Sequence, residues 1–270
     1  MATGERVPAD PVLARADGVD LETLAWAVAD GEEPDRRFYE RLLRAAPGLA
    51  LEAGCGTGRL LVALLRVGLP VEGCDISADM LAFCRLHAAA HGLAPALHLC
   101  SIQELPFADR YATILLACGT FMCVTDDVEV DRCLDTLRAN LVPGGRLVVS
   151  LMPPTYLQHA GGPFPTPWEP YYELPMPGGR GTLVVDWRAT ALCPVRQVVD
   201  EECRYRWTEG GAIVREEVST GRHRWYRRDQ FLDRLRRAGF ADVVVYANYT
   251  DQPSPDGFDS PLSFVATRPL

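Results

Sequence analysis

The clearest chemical signal in the chain is the run Gly54-Cys55-Gly56-Thr57-Gly58. Glycines at alternate positions allow positive φ and let a ligand approach the backbone closely. The apolar stretch 49–53 before the run reads as a strand, and 57–68 after it reads as a helix. A helix start offers N–H groups with no intrahelical partner. Glu52 lies two residues before the first glycine, and the next apolar run, 70–75, ends in Asp75. An acid at the tip of a second strand can accept hydrogen bonds from both hydroxyls of a ribose. These residues describe a nucleoside site at the carboxyl edge of a parallel sheet. A dinucleotide site needs G-x-G-x-x-G, with a pyrophosphate over the helix end. Here the spacing is G-x-G-x-G, and Arg59 follows Gly58. Glu52 would repel a pyrophosphate and would suit a cationic amino-acid tail. A tight glycine turn with no ligand is the plain alternative. The strand, the helix and Asp75 together weigh against it.

The elements that must hold this site follow from hydrophobic periodicity. Residues 1–48 read as a helical cap, with apolar residues at helical spacing in 21–30 and 36–46. Strands and helices then alternate. Helix 78–91 follows Ser77, a good cap. Strands are expected at 96–100, 111–119 and 146–152, with a helix over 129–141 and a turn at Pro143-Gly144-Gly145. Alternation of this kind implies a parallel sheet covered by helices. Residues 152–226 break the pattern. Two Pro/Gly clusters precede three alternating runs, at 182–192, 196–207 and 212–226, with Gly210-Gly211 as a hairpin signal. They read as a small antiparallel sheet. Helix 227–240 and strands 241–249 and 262–268 close the chain.

Composition narrows the function classes. The chain has 270 residues, 48% hydrophobic and 23% charged, which is enough for one large elaborated domain. Its net charge of -9 disfavours nucleic acid as a partner. All 27 basic residues are arginine. Without lysine there is no Schiff-base chemistry and no P-loop. The nine cysteines form no C-x-x-C pair and read as free thiols in a reducing cytosol. No apolar run is long enough to span a membrane, and no signal peptide is visible. A soluble, cytoplasmic protein is expected.

With these motifs in place, the chain resembles the class I S-adenosylmethionine-dependent methyltransferases over nearly its whole length. LEAGCGTGRL resembles their first motif, and Asp75 their ribose-binding acid. SIQELPF, ILLACGTFMCV, LVPGGRLVVS and LRRAGFADVVV resemble their later motifs in order. The resemblance implies an α/β fold. A Rossmann-like seven-stranded sheet, parallel with an antiparallel closing strand, would carry a small antiparallel β insertion as a lid. It divides the chain into the cap (1–48), a cofactor-binding domain (49–151 and 227–270) and the insertion (152–226). S-adenosylmethionine is the implied cofactor. Gly54, Gly56 and Gly58 would cradle its methionine part, and Glu52 would organise that loop. Asp75 would hold the ribose, and Ile76 would flank the adenine. Ser101, Ile102 and Gln103 would meet the adenine edge. Ala117, Cys118 and Gly119 would line the sulfonium side, and Phe38 or Tyr39 would lie over the cofactor. The family often carries Asp where Ser101 stands, and an acid where Ala112 stands. Both departures weaken the adenine assignment.

The resemblance also implies a small-molecule acceptor, with no nucleic acid, membrane or metal, and is compatible with a homodimer. Methyl transfer needs alignment and a dry site, and needs a base only when the acceptor carries a proton. Candidate catalytic residues are His159, His223 and Tyr172, the first after strand five and the others in the insertion. His87, His91 and His98 read as surface or structural. Tyr156, Tyr171 and Tyr226 are further hydroxyls, and Trp168 is a pocket candidate. Arg204, Arg206, Arg222 and Arg224 could bind an anion or simply face solvent. Asp200, Glu201 and Glu202 suggest a turn or an amine-binding edge. Cys55 reads as a small structural residue. The function implied is methyl transfer to a small molecule, in bacterial secondary metabolism. The rivals are a non-methylating enzyme of the same fold, a nicotinamide oxidoreductase and a scaffold with a vestigial site.

Overall fold

The computed structural model describes residues 18–29, 35–250 and 260–270. The remainder of the expected cap, 1–17 and 30–34, lies outside the described residues. Helices α1 (Leu21–Val28) and α2 (Asp35–Ala45) lead into β1 (Ala50–Ala53), α3 (Arg59–Arg66), β2 (Val71–Asp75), α4 (Ala78–Ala90) and β3 (Leu97–Leu99). Then come β4 (Tyr111–Leu116), α5 (Asp127–Asn140) and β5 (Leu141–Leu151). Strands β6 (Glu169–Pro175), β7 (Thr182–Cys193), β8 (Val198–Glu209) and β9 (Ala212–Arg224) follow, then α6 (Arg228–Arg237), β10 (Ala241–Ala247) and β11 (Leu262–Thr267).

Seven strands form the main sheet, in the order β10-β11-β5-β4-β1-β2-β3. The five strands from β5 to β3 are parallel, and β11 and β10 close it antiparallel. Strand order reverses direction at β1, between β4 and β2. Such a switch point opens a crevice at the carboxyl edge, where open α/β sheets bind ligands. Local chemistry fixes the helix starts. Ser77 accepts from the Met80 N–H, and Asp126 accepts from the Val128 N–H. One layer of the core packs α5 and α6 on the sheet through Val130, Leu134, Leu137, Phe231 and Leu235. The other packs α2, α3 and α4 through Phe38, Leu42, Leu60, Leu61 and Leu81.

The inserted strands form their own antiparallel sheet, in the order β6-β7-β8-β9. Its first strand is absent from the sequence reading. Pro170 and Pro175 signal a loop there, yet β6 is an edge strand whose register shifts between Pro170 and Tyr172. Edges and bulges tolerate proline. A second difference lies at Pro143-Gly144-Gly145. The strand already begins at Leu141, and its pairing with β4 shifts register between Leu141 and Arg146. A Cβ on Gly145 would fall 2.8 Å from the Val142 carbonyl oxygen, so glycine makes the irregular pairing passable.

The two helices of the expected cap pack in different places. α2 lies on the main sheet. α1 lies under the inserted sheet, where Leu21, Leu24 and Ala25 meet Leu183, Val185, Tyr205 and Trp207. Glu217 of β9 accepts from the Leu21 N–H at 2.7 Å, and Arg215 donates to the Val19 carbonyl at 2.6 Å.

Candidate active site

The loop after β1 has its glycines in the left-handed region, with φ of +80, +53 and +89 at Gly54, Gly56 and Gly58. Packing also requires glycine at two of them. A Cβ on Gly54 would fall 2.3 Å from Thr120, and one on Gly58 would fall 2.6 Å from Cys84 Sγ. Gly56 differs, because its nearest neighbour would be Met80 Sδ at 4.0 Å. That side of the loop is open. Asp75 ties the loop to β2. Its two carboxylate oxygens accept from the Gly56 and Ser77 N–H groups, each at 2.9 Å. Each oxygen keeps a lone pair for a further donor. Beside it, Ile76 is 77% exposed and Leu99, at the end of β3, 61%. Two apolar side chains thus flank the acid at the sheet edge.

Glu52 is buried behind the loop, and its Oε2 has no hydrogen-bond partner among the described residues. Burial pushes its carboxyl well above the usual range, and the Arg59 charge offsets only part of that. Arg59 itself is clamped by Asp35, with contacts of 3.0 and 2.6 Å, and reaches Cys118 Sγ at 3.1 Å. This clasp joins α2, α3 and the segment after β4. The sequence reading missed it, because Asp35 and Arg59 meet only in the fold. Thr57 Oγ1 donates to the Trp26 carbonyl, so α1 also touches the loop.

The other expected cofactor residues divide into three groups. Ala117 and Cys118 lie at the end of β4, and Cys118 has φ of +49, which turns the chain sharply before Gly119. Ser101 donates to Gln103 Oε1, and Gln103 donates to Glu129, so both side chains are engaged in holding the 101–105 segment to α5. Ile102 packs partly into the core. Phe38 and Tyr39 form the third group. Both are fully enclosed, and the Tyr39 hydroxyl lies 2.5 Å from Ser150 Oγ. The apolar face of α2 turns them into the cluster that also holds Cys55 of the loop and Ala117 after β4.

The inserted sheet has two unlike faces, set by strand alternation. One carries an ionic ladder. Arg188 pairs with Glu202, Arg204 and Arg206 with Asp186, and Arg222 with Asp200. Trp168 lies against the Arg188 and Arg204 guanidinium groups at 4.3 and 4.5 Å. Arg224 pairs with Asp127. The candidate arginines are therefore engaged with carboxylates, and Trp168 belongs to this ionic face.

The other face turns towards α1 and the segment after β4. It brings the candidate histidines together around Trp187. His159 Nε2 lies 3.2 Å from Glu169 Oε1, and its ring lies 6.1 Å from the Trp187 ring. Trp187 donates to Glu201 Oε2 at 2.8 Å, and His223 Nδ1 lies 2.9 Å from Glu201 Oε1. His223 also hydrogen-bonds Cys123. The Tyr172 ring packs against Tyr171 with centroids 4.7 Å apart, and Tyr171 lies within electrostatic reach of both Glu201 and Cys118. Glu22 of α1 bonds Ser219 and feels Glu201 and His223. Tyr156 and Tyr226 pack as core residues against Trp225 and Phe231. His98 is structural, 3.0 Å from Glu72.

Residues 50–145 match the family described as "Methyltransferase domain". A demethylmenaquinone methyltransferase of Thermus thermophilus is 32% identical over 149 residues, 53% of this chain and 64% of that one, just under two thirds of its length. An S-adenosylmethionine-dependent methyltransferase from Clostridium acetobutylicum has a similar fold, with a TM-score of 0.70 and 16% identity over 96% of this chain and 95% of that one. So does CalS10 of Micromonospora echinaspora, an amino pentose methyltransferase, at 0.67 and 20% over 93% and 97%. The loop fits the cofactor these proteins use. The unpartnered Glu52 oxygen suits an ammonium, the open side of Gly56 suits a close ligand, and the spare lone pairs of Asp75 suit a ribose diol. Residues 50–145 thus carry a methyltransferase domain, and the chain as a whole has the fold of the S-adenosylmethionine-dependent methyltransferases it resembles.

Proposed function

We propose that the protein methylates a small molecule held between the 117–123 segment and the Trp187 face of the inserted sheet. The observation that carries this reading is the closeness of the inserted sheet to the segment after β4: Tyr171 lies within electrostatic reach of Cys118, and His223 hydrogen-bonds Cys123. That segment follows the strand beside the glycine loop and Asp75, and the Trp187 face brings two imidazole–carboxylate pairs to it. The cofactor, when bound, supplies an electrophilic methyl group.

The chain's own residues do the rest. Asp75 takes the ribose hydroxyls, with Ile76 against the base. Gly54, Gly56 and Gly58 leave room for the amino-acid tail, and Glu52 takes its ammonium. Ala117 and Cys118 border the reacting carbon. Ser101, Ile102 and Gln103 shape the far end, more through the fold of their segment than through free polar groups. Tyr171, Tyr172 and Trp187 exclude water from the acceptor. A small acceptor agrees with the named relatives, one a demethylmenaquinone methyltransferase and one an amino pentose methyltransferase involved in calicheamicin biosynthesis. We extend the proposal to a role in bacterial secondary metabolism, which the second likeness supports by its fold.

Calorimetric titration with S-adenosylmethionine and S-adenosylhomocysteine, with NADH as control, tests the reading. Micromolar binding of both sulfur ligands and none of NADH is expected. A folded protein that binds neither sulfur ligand overturns it.

A further inference from the structure

We propose that His223, oriented by Glu201, is a catalytic hydrogen-bond donor to the nucleophile, and that the nucleophile is therefore an acidic hydroxyl oxygen of phenol type. This rests on the methyl-transfer reading above. The geometry starts at Glu201, whose oxygens are both committed. One accepts from Trp187 at 2.8 Å, and the other faces His223 Nδ1 at 2.9 Å. A carboxylate on Nδ1 fixes the ring and directs Nε2 outward. The ring's other hydrogen-bond partner among the described residues is the Cys123 thiol. Sulfur is a weak partner, so a ligand oxygen displaces it. Cys123 belongs to the turn at Thr120–Cys123 that follows Cys118, beside the expected methyl position.

The charged and titratable groups facing the ring are Glu201 of β8, Glu22 of α1 and Cys123, with Tyr156 within electrostatic reach of Glu201. Burial alone would lower the imidazole, but Cys123 and Glu201 outweigh it and lift the ring to about 10. Glu201 is held below the usual carboxylate range, burial notwithstanding, by His223 and Trp187. The ring is thus an imidazolium at neutral pH. A neutral amine has one lone pair, and a hydrogen bond from Nε2 would occupy it and block attack. A phenolate oxygen accepts that bond and keeps lone pairs for the methyl carbon. A phenol titrates near 10 in water, and a neighbouring imidazolium stabilises its anion, so its proton leaves to water before attack. In the transfer the oxygen–carbon bond forms as the carbon–sulfur bond breaks, its electron pair going to sulfur. Nε2 keeps its own proton throughout and donates it in the hydrogen bond to the attacking oxygen.

The probe is 4-nitrophenol, whose phenolate absorbs visible light and whose phenol does not. Binding of S-adenosylhomocysteine is measured first, and its failure would overturn the methyl-transfer reading itself. On the loaded wild type, one pH unit below the probe's own pKa, we expect a phenolate fraction enriched about tenfold over that in solution. His223→Gln and Glu201→Gln lose the band while holding S-adenosylhomocysteine within about threefold, as calorimetry would show. A probe that fails to bind, binds without its band, or keeps the band in both variants overturns the inference.

Discussion

Strands β1, β4 and the latter half of β5 are buried on both faces, and the groups they present at the sheet edge are mainly backbone. Strands β7, β8 and β9 carry ion pairs on one face and aromatic and titratable side chains on the other. The first sheet builds its site from glycine N–H groups, positive φ and one carboxylate. The second builds its site from side chains alone. A backbone-built site tolerates few substitutions, because the constraint is steric. A side-chain-built site can be rewritten residue by residue without disturbing the strands. On the proposed function, one chain combines a fixed cofactor site with an adaptable acceptor site.

That contrast can be broken by experiment. The largest effect is expected from Gly58→Val. A positive φ and a Cβ 2.6 Å from Cys84 Sγ combine strain with overpacking, together about 5 kcal/mol. Urea unfolding should show most of the protein's stability gone. Trp207→Ala comes next. It opens the cluster between α1 and β7–β8 at a cost of about 3–5 kcal/mol. Hydrogen exchange should rise across 182–224 while the main sheet stays protected. Loss of protection in both sheets together would erase the contrast.

Asp75→Ala removes the acid beside the open loop. Cofactor affinity should fall by about 2–3 kcal/mol, read by calorimetry, with folding retained. The smallest effect belongs to Glu52→Gln. The folded-state pKa of this carboxyl is raised, so its stabilising proton is fully present below the unfolded value. That contribution fades as pH rises towards the folded value. The Gln variant should therefore unfold at higher urea than wild type at neutral pH, while binding cofactor about tenfold more weakly. In the wild type, ammonium binding should expel the Glu52 proton. The binding enthalpy should then vary with the ionisation enthalpy of the buffer, and this dependence should vanish in the variant.

The same contrast explains what could be read from residues alone. Gly54, Gly56, Gly58 and Asp75 announce themselves because their chemistry is local and backbone-based. Ser77 caps α4 for the same reason. Glu201 and His223 are visible only as one acid among three and one histidine among five. Their pairing depends on the β8–β9 register, which sets Val199 opposite His223 and Glu201 opposite Gly221. Asp35 and Arg59 carry no signal at all until α2 docks on α3. Tyr39 is ambiguous in the sequence, because an aromatic on an amphipathic helix looks the same whether it covers a ligand or fills a core. β6 hides behind Pro170 and Pro175, which an edge strand accepts.

The insertion also sets a timetable for synthesis. β5 pairs with β4 on one side, but its other neighbour, β11, begins only at Leu262. Between Leu151 and Leu262 the ribosome must deliver the whole four-stranded sheet, α6 and β10. At about 5–20 residues per second that interval is on the order of ten seconds. Throughout it, the Val148–Val149 edge of the nascent Rossmann half is unzipped and apolar, open to a chaperone or to another nascent chain. A stop codon anywhere before β11 would freeze the chain in that sticky state, so the strand Leu262–Thr267 matters to the chain's release from the ribosome as well as to the finished sheet.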